Sequence, residues 1–235
     1  GYDGIVFAAD SSNGDMKIEP KDLYKALAAE VVVDGKLVAN PYKNWSDINA
    51  TLPKGPIAAY IPGSKHGTRE VFEEKIMADG CKEAGATDVI KTLITDAKQA
   101  AAKCVAVRKD GAAVDIDGDY TETLARIDAN KTGLGVFGLA FYENNADRLK
   151  VATVSGVVPS TETVASGKYP VSRPLFFYVK KAHLGVIPGL KEYVEFFTSD
   201  EMIGPDSPLA NYGLVAAPDA EREEIRSAFA AGTTM

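Results

Sequence analysis

The residues best equipped for chemistry lie in one stretch, PGSKHGTREVFEEK at 62–75. It follows a short apolar run, passes through a polar loop and enters an amphipathic pattern, so Gly67 and Thr68 open a helix. The first turn of a helix carries four N–H groups without partners and the positive end of the helix dipole. Gly67 has no side chain and lets an anion reach that backbone. Ser64 and Thr68 add hydroxyl donors, Lys65 and Arg69 add positive charge, and His66 adds a ring N–H. Together these residues make an oxyanion cradle. They also fit a plain capped helix start with a solvated lysine and arginine, and the local pattern leaves both readings open. The spacing is neither a Walker motif nor a dinucleotide fingerprint.

Other candidates for chemistry are weaker. Ser64 and His66 could be drawn as a nucleophile and base, but no GxSxG elbow accompanies them and they stand two residues apart on a turn. DIDGD at 115–119 departs from the calcium-loop pattern because Gly118 falls too early, and it reads as a turn before a helix. Cys81 and Cys104 cannot build a cysteine-only zinc site, and His66 and His183 are distant in sequence. The two thiols are either a disulfide or a buried free pair. His183, beside two lysines, reads as a surface residue.

The elements that must position this stretch alternate. A buried strand is expected over 1–9 and a helix from Pro20 to about 30. A hairpin is expected over 31–38, turning at Asp34-Gly35. Residues 40–56 read as loop anchored by Trp45 and Ile48, and 57–61 as a strand. A helix from 67 to about 79 turns Phe72 and Ile76 inward, and another covers 87–102. A second hairpin is expected from 104–108 and 112–116. Helix is expected at 120–130, strand at 134–139, 151–158 and 175–179, then helix from Pro188 and at 219–231. Strands alternating with helices define an α/β protein.

Charge and composition narrow the function classes. The 235 residues carry 26 Lys and Arg against 33 Asp and Glu, a net charge of −7, and 46% are hydrophobic. An acidic chain is poorly suited to nucleic acid or an anionic membrane surface, so an anion would need a local site working against the global field. No apolar run approaches the length of a bilayer span.

Several segments, in order, resemble the periplasmic phosphate-binding proteins of bacterial phosphate ABC transporters. They are GYDGIVFA (1–8), NPYKNWSDIN (40–49), HGTREVFE (66–73), GLGVFG (133–138), SGKYPVSRPLFFYVKKAHLGVIPG (166–189) and GLVAAPDAER (213–222). Together they run along nearly the whole chain. The resemblance implies a type II periplasmic-binding-protein fold, with two α/β lobes joined by crossing strands. It places a hinge strand at 1–9, a contiguous second lobe at 10–168, and a return strand with the C-terminal part of the first lobe at 169–235. The family's phosphate contacts include a Ser-Gly-Thr turn at a helix start. Gly67 and Thr68 match its last two positions and Arg69 matches the arginine that comes next in many members. His66 stands where serine is usual, and histidine changes charge near neutrality where serine does not. An upstream arginine of some members has no match near Pro62, where Ser64 or Lys65 is placed to compensate. Ser172 and Arg173 come after the second crossover and either line the cleft or serve the hinge.

The resemblance therefore implies capture of inorganic phosphate outside the cytoplasm, in the periplasm or extracellularly, for delivery to ABC transporter permease subunits. It implies no catalysis, cofactor, metal or nucleic acid. The family's remaining first-lobe contacts, including a carboxylate that accepts a proton from phosphate, would precede Gly1. The first lobe is then incomplete here, and the missing segment or another chain becomes a partner. Two other readings stand beside this one: a shortened scaffold that pairs with another chain without binding phosphate, and a phosphate-ester hydrolase using His66.

Overall fold

The apolar run at the start forms the strand Tyr2–Asp10 in a computed structural model that describes residues 1–234. Ile5, Val6, Phe7 and Ala8 are fully buried, which a strand achieves only when both its faces are covered. Tyr2 to Gly4 pair antiparallel with Ser172–Pro174. Ile5 to Ala8 then pair antiparallel with Leu134–Gly138, and Ala8 to Asp10 with Leu149–Val151. One strand thus joins neighbours that are far apart in sequence. The sheet continues from Leu134–Gly138 to Ala59–Pro62 and then to Ala113–Ile116, each parallel to its neighbour.

Parallel neighbours need crossovers. Between residues 62 and 113 the chain supplies one continuous helical segment at 67–83, in which Gly67–Phe72 and Asp79–Glu83 are joined by a π-helical turn, Glu73–Ala78. Phe72 and Ile76 are fully buried, as their spacing predicts. This segment lies against the helix Pro20–Leu27 at Gly80, where a Cβ would come within 2.3 Å of the Pro20 carbonyl oxygen. Two more helices, Ala86–Leu93 and Ala97–Val105, complete the crossover. The helix Tyr120–Ala129 carries the chain from Ala113–Ile116 back across to Leu134–Gly138. Cys81 and Cys104 form a disulfide with 5.5 Å between their Cα atoms, which decides between the two readings the sequence leaves open.

Several expected elements differ. The helix expected to about 30 ends at Leu27, because Glu30–Val33 is drawn into a hairpin with Lys36–Ala39. The single helix expected over 87–102 is two, broken at 94–96, where Asp96 caps the second by accepting from the Gln99 N–H. The hairpin expected from 104–108 and 112–116 does not form. Cys104 and Val105 end a helix instead, and Ala113–Ile116 pairs with Ala59–Pro62. The strand expected over 151–158 is two short pieces, Leu149–Val151 and Thr153–Val154, turned by Ser155 and Gly156 at φ 51° and 76°. The strand expected over 175–179 is absent. The ladder stops after Pro174, where the Leu175 N–H donates to the Gly1 carbonyl, and among the described residues no strand pairs with 175–179. The helix expected from Pro188 starts at Leu190, behind Gly189 in the left-handed region.

Residues 175–234 form short helices, of which Asp219–Ala230 is the longest. They join the sheet where Tyr2 and Val215 exchange backbone hydrogen bonds of 2.7 and 2.9 Å, and where the Tyr2 hydroxyl donates to Glu221. Among the described residues no helix is long and apolar enough to cross a membrane.

Candidate functional site

The parallel strands Ala59–Pro62 and Ala113–Ile116 end side by side, and each is followed by a tight turn and a helix start. The first turn leads to Gly67 and the second to Tyr120. In open α/β sheets, ligands bind outside the carboxyl ends of the strands. A cleft of about 230 Å³ lies there, and His66, Gly67, Thr68, Asp119 and Tyr120 help to line it. Both helices turn their N-terminal ends toward it, so unpaired N–H groups converge from two directions.

The candidates of the 62–75 stretch take different places. Gly67 and Thr68 line the cleft. His66 also lines it, and its Nε2 lies 3.1 Å from the Asp117 carbonyl oxygen. A carbonyl only accepts, so the proton is on Nε2; the other ring nitrogen donates to an anion only in the imidazolium form. Ser64 and Lys65 are exposed and are not part of the cleft lining. Ser64 and His66 do not hydrogen-bond to one another among the described residues. Arg69 is turned onto protein groups: its Nε donates to Glu73 at 2.6 Å, and its Nη1 to the Pro62 carbonyl at 2.9 Å and to Asp115.

The two candidates from the return strand also divide. The Ser172 hydroxyl donates to the Tyr169 carbonyl at 2.9 Å, which commits its proton to the backbone. Arg173 reaches the helix start from the other side. A Cβ at Gly67 would lie 3.1 Å from Arg173 Nη2, so a side chain there would crowd the guanidinium. Arg173 Nη1 is 3.4 Å from Glu70, and Arg173 Nε is buried without a hydrogen-bond partner among the described residues.

Three residues of the site escape the sequence reading. Asp119 accepts from the Thr121 N–H and caps the second helix. Tyr120, half-buried, turns its hydroxyl toward the Thr68 side chain and the Gly138 peptide, and burial raises its pKa, with the Asp3 charge adding to the effect. Asp3 stands opposite Arg173 in the strand ladder. Burial raises the pKa of its carboxyl, against the pull of Arg173. The signal for Asp119 and Tyr120 was present: strand, turn and helix succeed one another at 113–120 in the same order as at 59–67. Asp3 could have been noticed as a charge placed beside an apolar run. The acidic run at 115–119 is used locally, since Asp115 accepts from Arg69 and Lys109.

A family model described as a PBP superfamily domain matches residues 1–201. The phosphate-binding protein PstS of Staphylococcus haemolyticus is 28% identical over 222 residues, covering 92% of this chain and 56% of that protein. The phosphate-binding protein PstS of Staphylococcus aureus strain USA300 is 27% identical over 222 residues, covering 92% and 54%. The chain thus spans about half the length of the curated relatives it matches. Among solved structures, one described as a "possible phosphate binding protein" from Planctomyces limnophilus superposes with a TM-score of 0.65 at 22% identity, covering 99% of this chain and 71% of that one. PstS from Borrelia burgdorferi superposes with a TM-score of 0.55 at 18% identity, covering 86% and 65%.

Proposed function

The chain belongs to the PBP superfamily, and from that premise we propose that it captures inorganic phosphate outside the cytoplasm for delivery to an ABC transporter. Its α/β fold, a mixed sheet with flanking helices, is that of type II periplasmic-binding-protein homologues. The observation that carries the proposal is the convergence of two helix N-termini, at Gly67 and Tyr120, on one cleft outside the carboxyl ends of parallel strands. Such a cleft offers backbone donors, the Thr68 hydroxyl and the Arg173 guanidinium to a tetrahedral oxyanion. His66 contributes a further donor when protonated. Arg69 acts from behind, holding the Pro62 carbonyl and Asp115 in place beneath the turn. Ser64 and Lys65 lie outside the cleft lining, and Ser172 is committed to the Tyr169 carbonyl.

The role proposed is binding and release, with no bond made or broken. The names of the PstS relatives support phosphate as the ligand. The Cys81–Cys104 bond supports an oxidising, extracytoplasmic location. The same reading takes 1–9 as a hinge strand, 10–168 as one contiguous lobe, and 169–235 as the return strand and part of the other lobe. Permease subunits are the partners that receive the ligand. The exposed apolar run Leu175 to Tyr178 favours one further partner, polypeptide that covers this face.

Calorimetric titration of inorganic phosphate, with sulfate as competitor, tests the proposal. Saturable binding that weakens about tenfold in Thr68→Val, the loss of one hydrogen bond to a charged ligand, is expected. Absence of saturable heat in the unaltered chain contradicts it.

A further inference from the structure

Asp3 and Arg173 face each other across two strands that are adjacent only because the chain returns to its own start. The guanidinium of Arg173 extends from that pair to the Gly67 end of the cleft. Asp3 forms no ion pair within 4 Å among the described residues, so its carboxylate is partly withdrawn from water with only a distant counter-charge. Burial outweighs Arg173 and leaves its affinity for protons above that of an ordinary aspartate. The other titratable group facing it is Tyr120, from the helix that borders the cleft. Arg173 is itself shared with Glu70 of the first site helix.

An oxyanion at Gly67 and Thr68 would compete with Asp3 for Arg173. A bound anion draws the guanidinium toward the cleft and adds a like charge nearby, which favours the neutral carboxylic acid. Resting on the oxyanion-binding reading above, we propose that Asp3 takes up a proton from solvent when the anion binds, so that capture in this cleft is coupled to protonation at the crossing strands. The proton forms an O–H bond on the Asp3 carboxyl and is returned when the anion leaves. Because anion binding raises an already raised pKa, affinity declines as pH rises through the carboxyl range, a decline separate from the ionisation of phosphate itself.

The test titrates inorganic phosphate into the unaltered chain and into Asp3→Asn, in buffers of different ionisation enthalpy, so that heat reports proton uptake. At about pH 5 inorganic phosphate holds mainly a single charge. The expected result is proton uptake on binding by the unaltered chain and a markedly smaller uptake by Asp3→Asn. Between about pH 4 and pH 6, the affinity of the unaltered chain should also fall up to about tenfold further than that of the variant. Equal uptake by both proteins, or binding by the unaltered chain with no uptake, overturns the coupling while leaving phosphate capture intact. No saturable binding by the unaltered chain removes the underlying reading and the coupling with it. If Asp3→Asn fails to fold, uptake by the unaltered chain and comparison with Asp3→Ser decide the matter.

Discussion

Between Ile5 and Val171 the chain buries its aromatic side chains, whereas from Leu175 onward it displays them. Phe7, Phe72, Phe137 and Tyr169 are all fully buried in the first region. In the second, Phe176, Tyr178, Tyr193 and Phe196 are all more than half exposed. All but Leu93 and Val158 of the large exposed apolar side chains lie at 175 or beyond. The first region is organised by a sheet covered on both faces. The second relies more on polar anchors, such as buried Arg222, whose guanidinium donates to Asp200, Asp219 and the Ala217 carbonyl. Its exposed rings pack on one another, with Phe177 and Phe197 centroids 4.7 Å apart. The contrast separates buried core from exposed apolar surface. The cleft stands on the region with the continuous core, and the aromatic face lies on the other.

Mutations can break this contrast. Phe137→Ala should cost about 3–5 kcal/mol, the usual range for emptying a core aromatic site, while Phe176→Ala should change stability by no more than about 0.5 kcal/mol. Urea denaturation measures both, and comparable losses would dissolve the distinction. The disulfide is next in size. Cys81 and Cys104 close a span of 23 residues within the first region, and replacing both by alanine should cost about 3 kcal/mol. Hydrogen exchange should then rise around 76–105, with little change beyond 190.

Acid should act on the first region through two carboxylates. Hydrogen bonds from Lys131 and Ser12 hold Asp10 down at about 2, and the Arg108 hydrogen bond holds Asp110 down at about 2. A depressed carboxyl stabilises the fold above its unfolded pKa, and this support is lost as pH falls from about 4 toward about 2. Asp3 works the other way, since its raised pKa favours the fold at low pH and loses that contribution as pH rises. Asp10→Asn and Asp110→Asn should therefore flatten the acid limb of a melting-temperature profile. The smallest expected effect on stability is that of Phe176→Ser with Tyr178→Ser, which should leave the melting temperature nearly unchanged while reducing binding of a hydrophobic dye. An unchanged dye signal would mean that the aromatic face is not the accessible apolar surface.

The strand, turn and helix around Gly67 were legible in the sequence because each step is local: an apolar run, then glycine and polar residues, then a helical period with Phe72 and Ile76 on one face. The fold class was legible for the same reason. The partnership of Asp3 with Arg173 was not, since it depends on a register between strands about 170 residues apart, which no local pattern encodes. Cys104 and Val105 resemble the start of a strand by composition, but the helix that packs Cys104 against Cys81 overrides that preference, and only Val107, beyond its end, bridges to Ala28. The unbroken run of bulky residues at 175–179 suits a strand equally well and, among the described residues, lacks a neighbour to pair with. Arg69 reads as an anion ligand by type and place, yet Glu73 and the sequence-distant Asp115 engage its guanidinium.

The central claim is that an oxyanion sits where the helices begin at Gly67 and Tyr120. Amide chemical shifts tracked during a phosphate titration test it most directly. Saturable shifts of the Gly67, Thr68 and Arg69 N–H groups, joined by those at 120–121, are predicted. Saturable shifts confined to other parts of the chain, or no shift at these amides at saturating phosphate, would contradict the account.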